Sequence, residues 1–267
     1  GANKKAGATA SEGDFVMAEV HGANGRIEIF EDFLAGEDIV AATAVGRAFG
    51  GSGFRVIGQG SSDTDSGITV LESDGLNGVG VFTTTNEDAH SLGLTTGLVF
   101  DVGKMAPIVA ECRVQFADLD TKAFWFGFSD VNGDTSILEG AQLVAAGATL
   151  TLTASDLCGF LLDAEATDDE DWIMAYNGGT TTGETTIASI DADDDAVTGE
   201  WQILRLEIAP NGTARWYIDG VLKQTVAGAI STSTDVALVA MIEARAASNE
   251  YVYLDYLYAT ANRDWTV

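Results

Sequence analysis

From Arg26 onward, short apolar runs alternate with polar positions at a period of two, and clusters of Gly, Ser, Asp and Asn interrupt them. That period sends successive side chains to opposite faces of an extended chain, so each run reads as a strand. Residues 26–33 set Ile27, Ile29 and Phe33 against Glu28 and Asp32. Residues 54–59, 68–72, 78–82, 108–116, 123–129, 157–163, 172–176 and 185–190 are further β-rich runs. Residues 201–208 place Trp201, Ile203 or Leu204, Leu206 and Ile208 against Gln202, Arg205 and Glu207. Asn211-Gly212 supplies the positive φ of a tight hairpin, residues 213–218 return, and Asp219-Gly220 turns the chain again into 221–226. Residues 235–244 and 251–259 make one more pair. No stretch carries a strong 3.6-residue stripe, and residues 136–146 are the best short helix or turn. Many short strands with polar turns predict an all-β fold, an antiparallel β-sandwich or barrel.

Residues 1–25 differ. Gly, Ala, Asn, Ser and Lys dominate, with Lys4-Lys5 the one lysine pair, so this stretch reads as an extended N-terminal arm with little core of its own. The division expected is an arm, 1–25, and one β-domain, 26–267. A chain of 267 residues with 46% hydrophobic content can build a substantial core. Its formal charge of −28 repels phosphates and anionic head groups, so neither nucleic acid nor membrane is an expected partner. No apolar run approaches the length of a membrane-spanning helix.

The candidate chemistry is sparse. Cys112 and Cys158 lie in apolar runs and read as two buried thiols, a single bridge between facing strands being the alternative. With only His21 and His90 there is no zinc pattern, and His90 sits in a polar stretch as a solvated histidine. Asp130, Asn132 and Asp134 place oxygen ligands at alternate positions, as calcium loops do, and are the candidate calcium ligands; the glycine and glutamate that complete an EF-hand are replaced by Thr135 and Ala141. Residues 167–171 and 191–195 are further acidic runs, read as solvated loops. No Gly-x-Ser-x-Gly elbow occurs, and the Gly-rich stretch 49–54 lacks the ending of a phosphate loop.

Several segments resemble the concanavalin A-like lectin/glucanase jelly roll. They are residues 201–208, Asn211-Gly-Thr-Ala-Arg-Trp-Tyr-Ile-Asp-Gly220, the closing Tyr253-Leu-Asp-Tyr-Leu-Tyr258, and the inner-strand segments Glu111-Cys-Arg-Val and Phe124-Trp-Phe-Gly-Phe-Ser129. Residues 27–33, Cys158-Gly-Phe-Leu-Leu-Asp163 and the closing strand are also similar to jelly-roll proteins of bacteriophage virions, capsid decoration and fibre proteins among them. The resemblance implies a concanavalin A-like jelly roll. It also implies a non-enzymatic structural role as a decoration or cement protein on the outer surface of a phage capsid. The major capsid protein or other virion proteins would then be partners, and a homo-oligomer, a trimer, the working state.

Two alternatives belong to the same fold. Glucanases of this type carry a Glu-x-Asp-x-x-Glu strand, in which period-two spacing brings two carboxylates close enough for a retaining mechanism. Glu28 and Glu31 point to opposite faces, and Glu165, Asp168 and Glu170 fall in a loop, so neither set reproduces it. A carbohydrate-binding module would present aromatics to a surface glycan. Trp125, Trp172, Trp201 and Trp216 are the candidates, and all sit on apolar strands, which favours core packing. Asp219 is expected to accept turn N–H groups, and Asp255 to take a surface or hydrogen-bonded structural place.

Overall fold

The computed structural model describes residues 25–34, 39–40, 48–49, 52–59, 65–71, 78–135, 138–264 and 266. The expected arm therefore lies outside the described residues, apart from Gly25. In chain order the strands are β1 (Arg26–Glu31), β2 (Ile39–Val40), β3 (Ala48–Phe49), β4 (Phe54–Ile57), β5 (Gly67–Val70), β6 (Gly80–Thr83) and β7 (Ser91–Thr95). Then come β8 (Phe100–Asp101), β9 (Ile108–Gln115), β10 (Lys122–Ser129), β11 (Leu143–Ala146), β12 (Thr149–Leu152), β13 (Leu157–Asp163) and β14 (Asp171–Asn177). The rest are β15 (Asp191–Asp195), β16 (Trp201–Ile208), β17 (Ala214–Ile218), β18 (Val221–Val226), β19 (Asp235–Ala244) and β20 (Tyr251–Asn262).

They form two antiparallel sheets and a small hairpin. The first sheet runs β18-β17-β16-β9-β20-β6-β5-β2, with β1 also paired to β20; the second runs β15-β14-β13-β10-β19-β7-β4-β3, with β8 against β19. The sheets face each other. Phe116, just after β9, packs on Phe124 and Trp172 of the second sheet, and Trp216 packs on Tyr176 while its Nε1 donates to the Gly159 carbonyl at 2.9 Å. Trp172 Nε1 returns a bond to Gln202 Oε1 of the first sheet at 2.9 Å. The polar atoms of these large rings are thus satisfied across the sandwich, as buried indoles require. Cys112 and Cys158 both face this core as free, buried thiols.

The two sheets differ in what their other faces meet. β9 alternates buried and half-buried along its length, the mark of one dry and one wet face. β10, β13 and β7 are buried at every position, so the outer face of the second sheet is dry as well. The cover is a third layer made by the turn Leu138–Gln142 and the hairpin β11–β12, in register from Leu143↔Leu152 to Ala146↔Thr149. Residues 185–187 seal its flank, Leu150 N donating to the Thr185 carbonyl at 2.8 Å. Residues 185–190, expected as a strand, are instead this loop and a short 3-10 turn, because their backbone bonds serve the hairpin. Of residues 136–146, expected as helix or turn, Leu138–Gln142 form one wide helical turn and Leu143–Ala146 are β11.

Local details follow from residue type. Asp219 and Gly220 both take positive φ, 49° and 79°, which matches a tight hairpin to strand twist. The Asp219 carboxylate accepts an N–H not from its own turn but from Ile203 of the neighbouring strand, at 2.8 Å. The register of β20 against β9 shifts between Leu254 and Tyr256, a bulge that carries Asp255 as the extra residue. By strict alternation Tyr256 would follow Val252 and Leu254 into the core. With the bulge, Leu257 goes in, and Tyr251, Tyr253, Tyr256 and Tyr258 all line the outer face.

Gly127 and Gly159 sit opposite each other in the second sheet. A methyl on Gly159 would lie 2.4 Å from the Phe126 carbonyl oxygen and 2.9 Å from the Trp125 ring. The Gly159→Ala substitution is therefore expected to cost about 2 kcal/mol of stability, read as a lower midpoint in urea unfolding followed by tryptophan fluorescence.

Candidate functional site

The second sheet's outer face is where the chain concentrates buried charge. Arg245, directly after β19, sends Nε and Nη2 to the two oxygens of Asp163 at 3.0 and 2.7 Å, a bidentate pair, and Nη1 to Glu243 Oε1 at 2.6 Å. Asp163 and Glu243 are completely buried. Asp163, at the end of β13, also accepts Ala145 N of the hairpin at 3.0 Å and Glu165 N at 3.1 Å. Glu243 accepts Leu138 N at 2.6 Å, Glu139 N at 3.0 Å, and the Ser91 hydroxyl. Each acid thus holds the sheet through Arg245 and the third layer through backbone N–H groups. Charge-assisted bonds of this kind are the strong ones.

The electrostatics agree. Burial alone would lower the Arg245 pKa, but Asp163 and then Glu243 outweigh it and hold the guanidinium charged. Burial pushes the Glu243 carboxyl up, against Arg245, Ser91 and the two backbone donors that pull it down. Both acids are buried and held by Arg245 and backbone N–H groups, so they fasten the sheet to the third layer. The sequence carries one signal for it: Glu243 and Asp163 are lone carboxylates ending otherwise apolar runs.

At one end of the sandwich, the loops after β14, β16 and β18 enclose a cavity of about 350 Å³ lined by Gly178, Gly179, Thr180, Asn211, Ser231 and Ser233, among others. Its walls are hydroxyls, an amide, backbone and the apolar side chains of Pro210 and Ile230, with no charged side chain. Asp156 lies just behind, its Oδ1 accepting Ser231 N at 3.2 Å, and burial raises its pKa.

The two acidic runs, expected as separate solvated loops, meet. Residues 191–195 form the edge strand β15, and Asp195 pairs in register with Asp171. Asp168, Asp171 and Asp195 each bring an oxygen within 4.8 Å of the others. Burial first, then the bond to Asp195, pushes the Asp171 carboxyl up to about 6. Three carboxylates at this spacing can share a proton or ligate a hard cation.

The calcium candidates hold protein partners. Asp134 pairs with Arg55, whose Nη2 also donates to the Asn132 carbonyl at 2.6 Å, while Asp130 Oδ1 accepts Asp156 N at 3.2 Å. His90 lies against Glu87 at 3.2 Å and Gln59 at 3.2 Å. Of the four tryptophans considered for glycan contact, Trp125, Trp172 and Trp216 are fully buried. Trp201 is half-buried on the first sheet's outer face, with the Arg113 guanidinium 4.7 Å above its ring. Asp255 pairs with Arg113 at 2.7 Å, the structural place expected of it.

No family model and no curated protein matches the sequence. Solved structures do match the fold. A protein of unknown function from Shewanella oneidensis MR-1 aligns with a TM-score of 0.56 at 11% identity, over 99% of this chain and 99% of its own. A structure from work on endo-acting O-glycanases of the human gut microbiota aligns at 0.53 and 8% identity, over 86% and 97%. The metal-free carbohydrate recognition domain of Emp46p gives 0.48 at 12%, over 78% and 88%. At these identities the likeness is one of fold. The chain is an antiparallel β-sandwich with the concanavalin A-like jelly-roll fold, and a fold by itself fixes no function.

Two outcomes follow. Replacing Arg245 by Met leaves two buried carboxylates uncompensated. The expected loss is about 3–5 kcal/mol, with the amides of residues 138–146 losing hydrogen-exchange protection first. For Asp171, the folded chain holds its proton longer than the unfolded chain does. Stability is therefore fully present below about pH 4 and falls as the pH rises through about 6. Asp171→Asn should flatten that fall and be more stable than the parent at pH 7.5 by about 1 kcal/mol, measured by urea unfolding across pH.

Proposed function

We propose that this jelly roll is a non-enzymatic contact protein, and that it serves as a decoration or cement protein on the outside of a phage capsid, with the major capsid protein as partner. The observation that carries the non-enzymatic part is the third layer. The outer face of the second sheet is roofed by residues 138–152 and offers no open cleft. Its two acids are spent on Arg245 and on backbone N–H groups. The surface charge supports an outward-facing place, since a chain at −28 is repelled by packaged nucleic acid. The capsid setting rests on the resemblance of segments 27–33, 158–163 followed by Asp171-Trp172, and 253–260 to virion jelly rolls.

The test is addition of the purified chain to capsid shells that lack it. Co-sedimentation with the shells and a higher shell melting temperature are expected. Failure to bind, or release of reducing sugar from β-glucans at a rate abolished by Glu243→Gln with the fold intact, overturns the reading.

A second reading, a carbohydrate-binding module, is favoured by the cavity of about 350 Å³ at the loop end. It has room for a single sugar ring, and its hydroxyl and amide lining suits a neutral polyol. On this reading a glycan array gives a positive signal, and Asn211→Ala lowers it at least tenfold; no signal with neutral oligosaccharides sets it aside.

A further inference from the structure

The outer face of the first sheet has no third layer. Its central row crosses six strands in register. It runs Leu222 (β18), Tyr217 (β17), Arg205 (β16), Glu111 (β9), Tyr258 (β20) and Phe30 (β1). Read from either end, the row is apolar, tyrosine, then a charge, and the two central charges are opposite. Leu222 and Phe30 at its ends are 50% and 49% exposed, among the large apolar side chains that the fold leaves in water.

We propose that this face pairs two copies of the chain about a two-fold axis that runs along the strands, between β16 and β9. Such an axis lays the row of one copy over the reversed row of the other. Arg205 then faces the second copy's Glu111, Tyr217 faces its Tyr258, and Leu222 faces its Phe30, with each contact made twice. That reciprocal matching is what an isologous interface demands. An axis along the strands also keeps the strand directions of the two sheets aligned, the way stacked sheets pack.

Charge and size both point to a second copy as the occupant. Two molecules at −28 repel one another over most of their surfaces. On this face the charges are balanced locally: Arg205 pairs with Glu111 at 3.1 Å and Glu207 at 2.7 Å, and Arg113 with Asp255 at 2.7 Å. Arg215 lies on the same face, in register with Glu207. Tyrosine, tryptophan and arginine are the residues that carry binding energy at protein interfaces, and here they are held by neighbours before any partner arrives: Tyr256 donates to Glu111 at 2.7 Å, and Phe30 packs on Tyr258 at 6.3 Å. Six strands about 4.8 Å apart, with residues rising about 3.3 Å over eight positions, span roughly 24 by 26 Å, or about 600 Å² per copy. Two copies then bury about 1,200 Å², the lower bound for a stable specific interface. The inference stands apart from the capsid reading, since it concerns only what one copy presents to another.

Sedimentation equilibrium on the full chain decides it. The parent is expected to dimerise at micromolar concentration. Arg205→Glu sets two carboxylates against each other across the axis, and Glu111→Arg sets two guanidinium groups, so each variant alone should associate at least tenfold more weakly with an unchanged far-UV circular dichroism spectrum. An equimolar mixture of the two should dimerise again. The bond between these positions within one chain stays broken in both partners, so recovery can come only from contacts between copies. Leu222→Glu, at an exposed edge position, should weaken the dimer without touching the ion pairs. A parent that is monomeric at high micromolar concentration overturns the proposal, as does a mixture that stays monomeric. A trimer, or a dimer indifferent to all three substitutions, overturns it equally.

Discussion

The arrangement depends on one buried guanidinium. Arg245 sits where β19 ends, inside a buried and largely apolar face, and it pairs there directly with Asp163 and Glu243. Once the two acids are fixed, their remaining lone pairs dictate where the chain from residue 138 to 146 must lie, because Leu138, Glu139 and Ala145 donate backbone N–H groups to them. Hydrophobic burial then completes the layer: Leu143, Ala145 and Leu150 press on a sheet whose outer positions include Trp125, Leu161, Met241 and Ile173, all buried. A buried ionic network contributes less net stability than its short distances suggest, since desolvating three charges offsets much of the attraction. What it supplies is position: the third layer lies where its backbone N–H groups reach the two acids.

That third layer separates this molecule from an open sandwich of the same class. The fold by itself is neutral about function; the way each face is finished carries the information. One outer face is closed with charge locked inside it. The other is left as a ladder of tyrosines and paired arginines. The acidic excess is concentrated at the edges and loops, where β15 reads Asp-Ala-Asp-Asp-Asp along the border of the second sheet. An edge strand this negative repels further strands and protects the sheet from edge-to-edge pairing. Lys223 reaches from β18 to Asp194 at 2.6 Å and ties the two sheets' borders together.

The bulge at Asp255 shows how a single residue divides labour between two faces. The alternation of Tyr251 to Leu254 is plain in the sequence, and so is that of Leu257 to Ala259, but the two are out of phase. Asp255 absorbs the difference and is held outward by Arg113. Without the bulge, a regular strand would drive Tyr256 into the core and Leu257 out to water. The phase break was visible in the residue order, yet its meaning depended on knowing that β9 lies alongside.

Much of the fold was legible from period two and turn chemistry. The strands of residues 201–226, with Asn211-Gly212 and Asp219-Gly220 between them, follow from local preference alone, because each hairpin's partner is its neighbour in the chain. The burial of Trp125, Trp172 and Trp216, and of both cysteines, also followed from their apolar surroundings. The misread segments share one physical cause. Residues 185–190, residues 191–195 and the 143–152 hairpin have patterns too polar or too short to name a state, and their conformation is set by partners distant in sequence. The clamp is the extreme case: Arg245 lies 82 positions from Asp163, and Glu243 lies 105 from Leu138. Alternation tells which side chains want to leave water, and that is a local property of each residue. Which charges meet once they have left it depends on how the sheets are ordered, and only the assembled sandwich decides that.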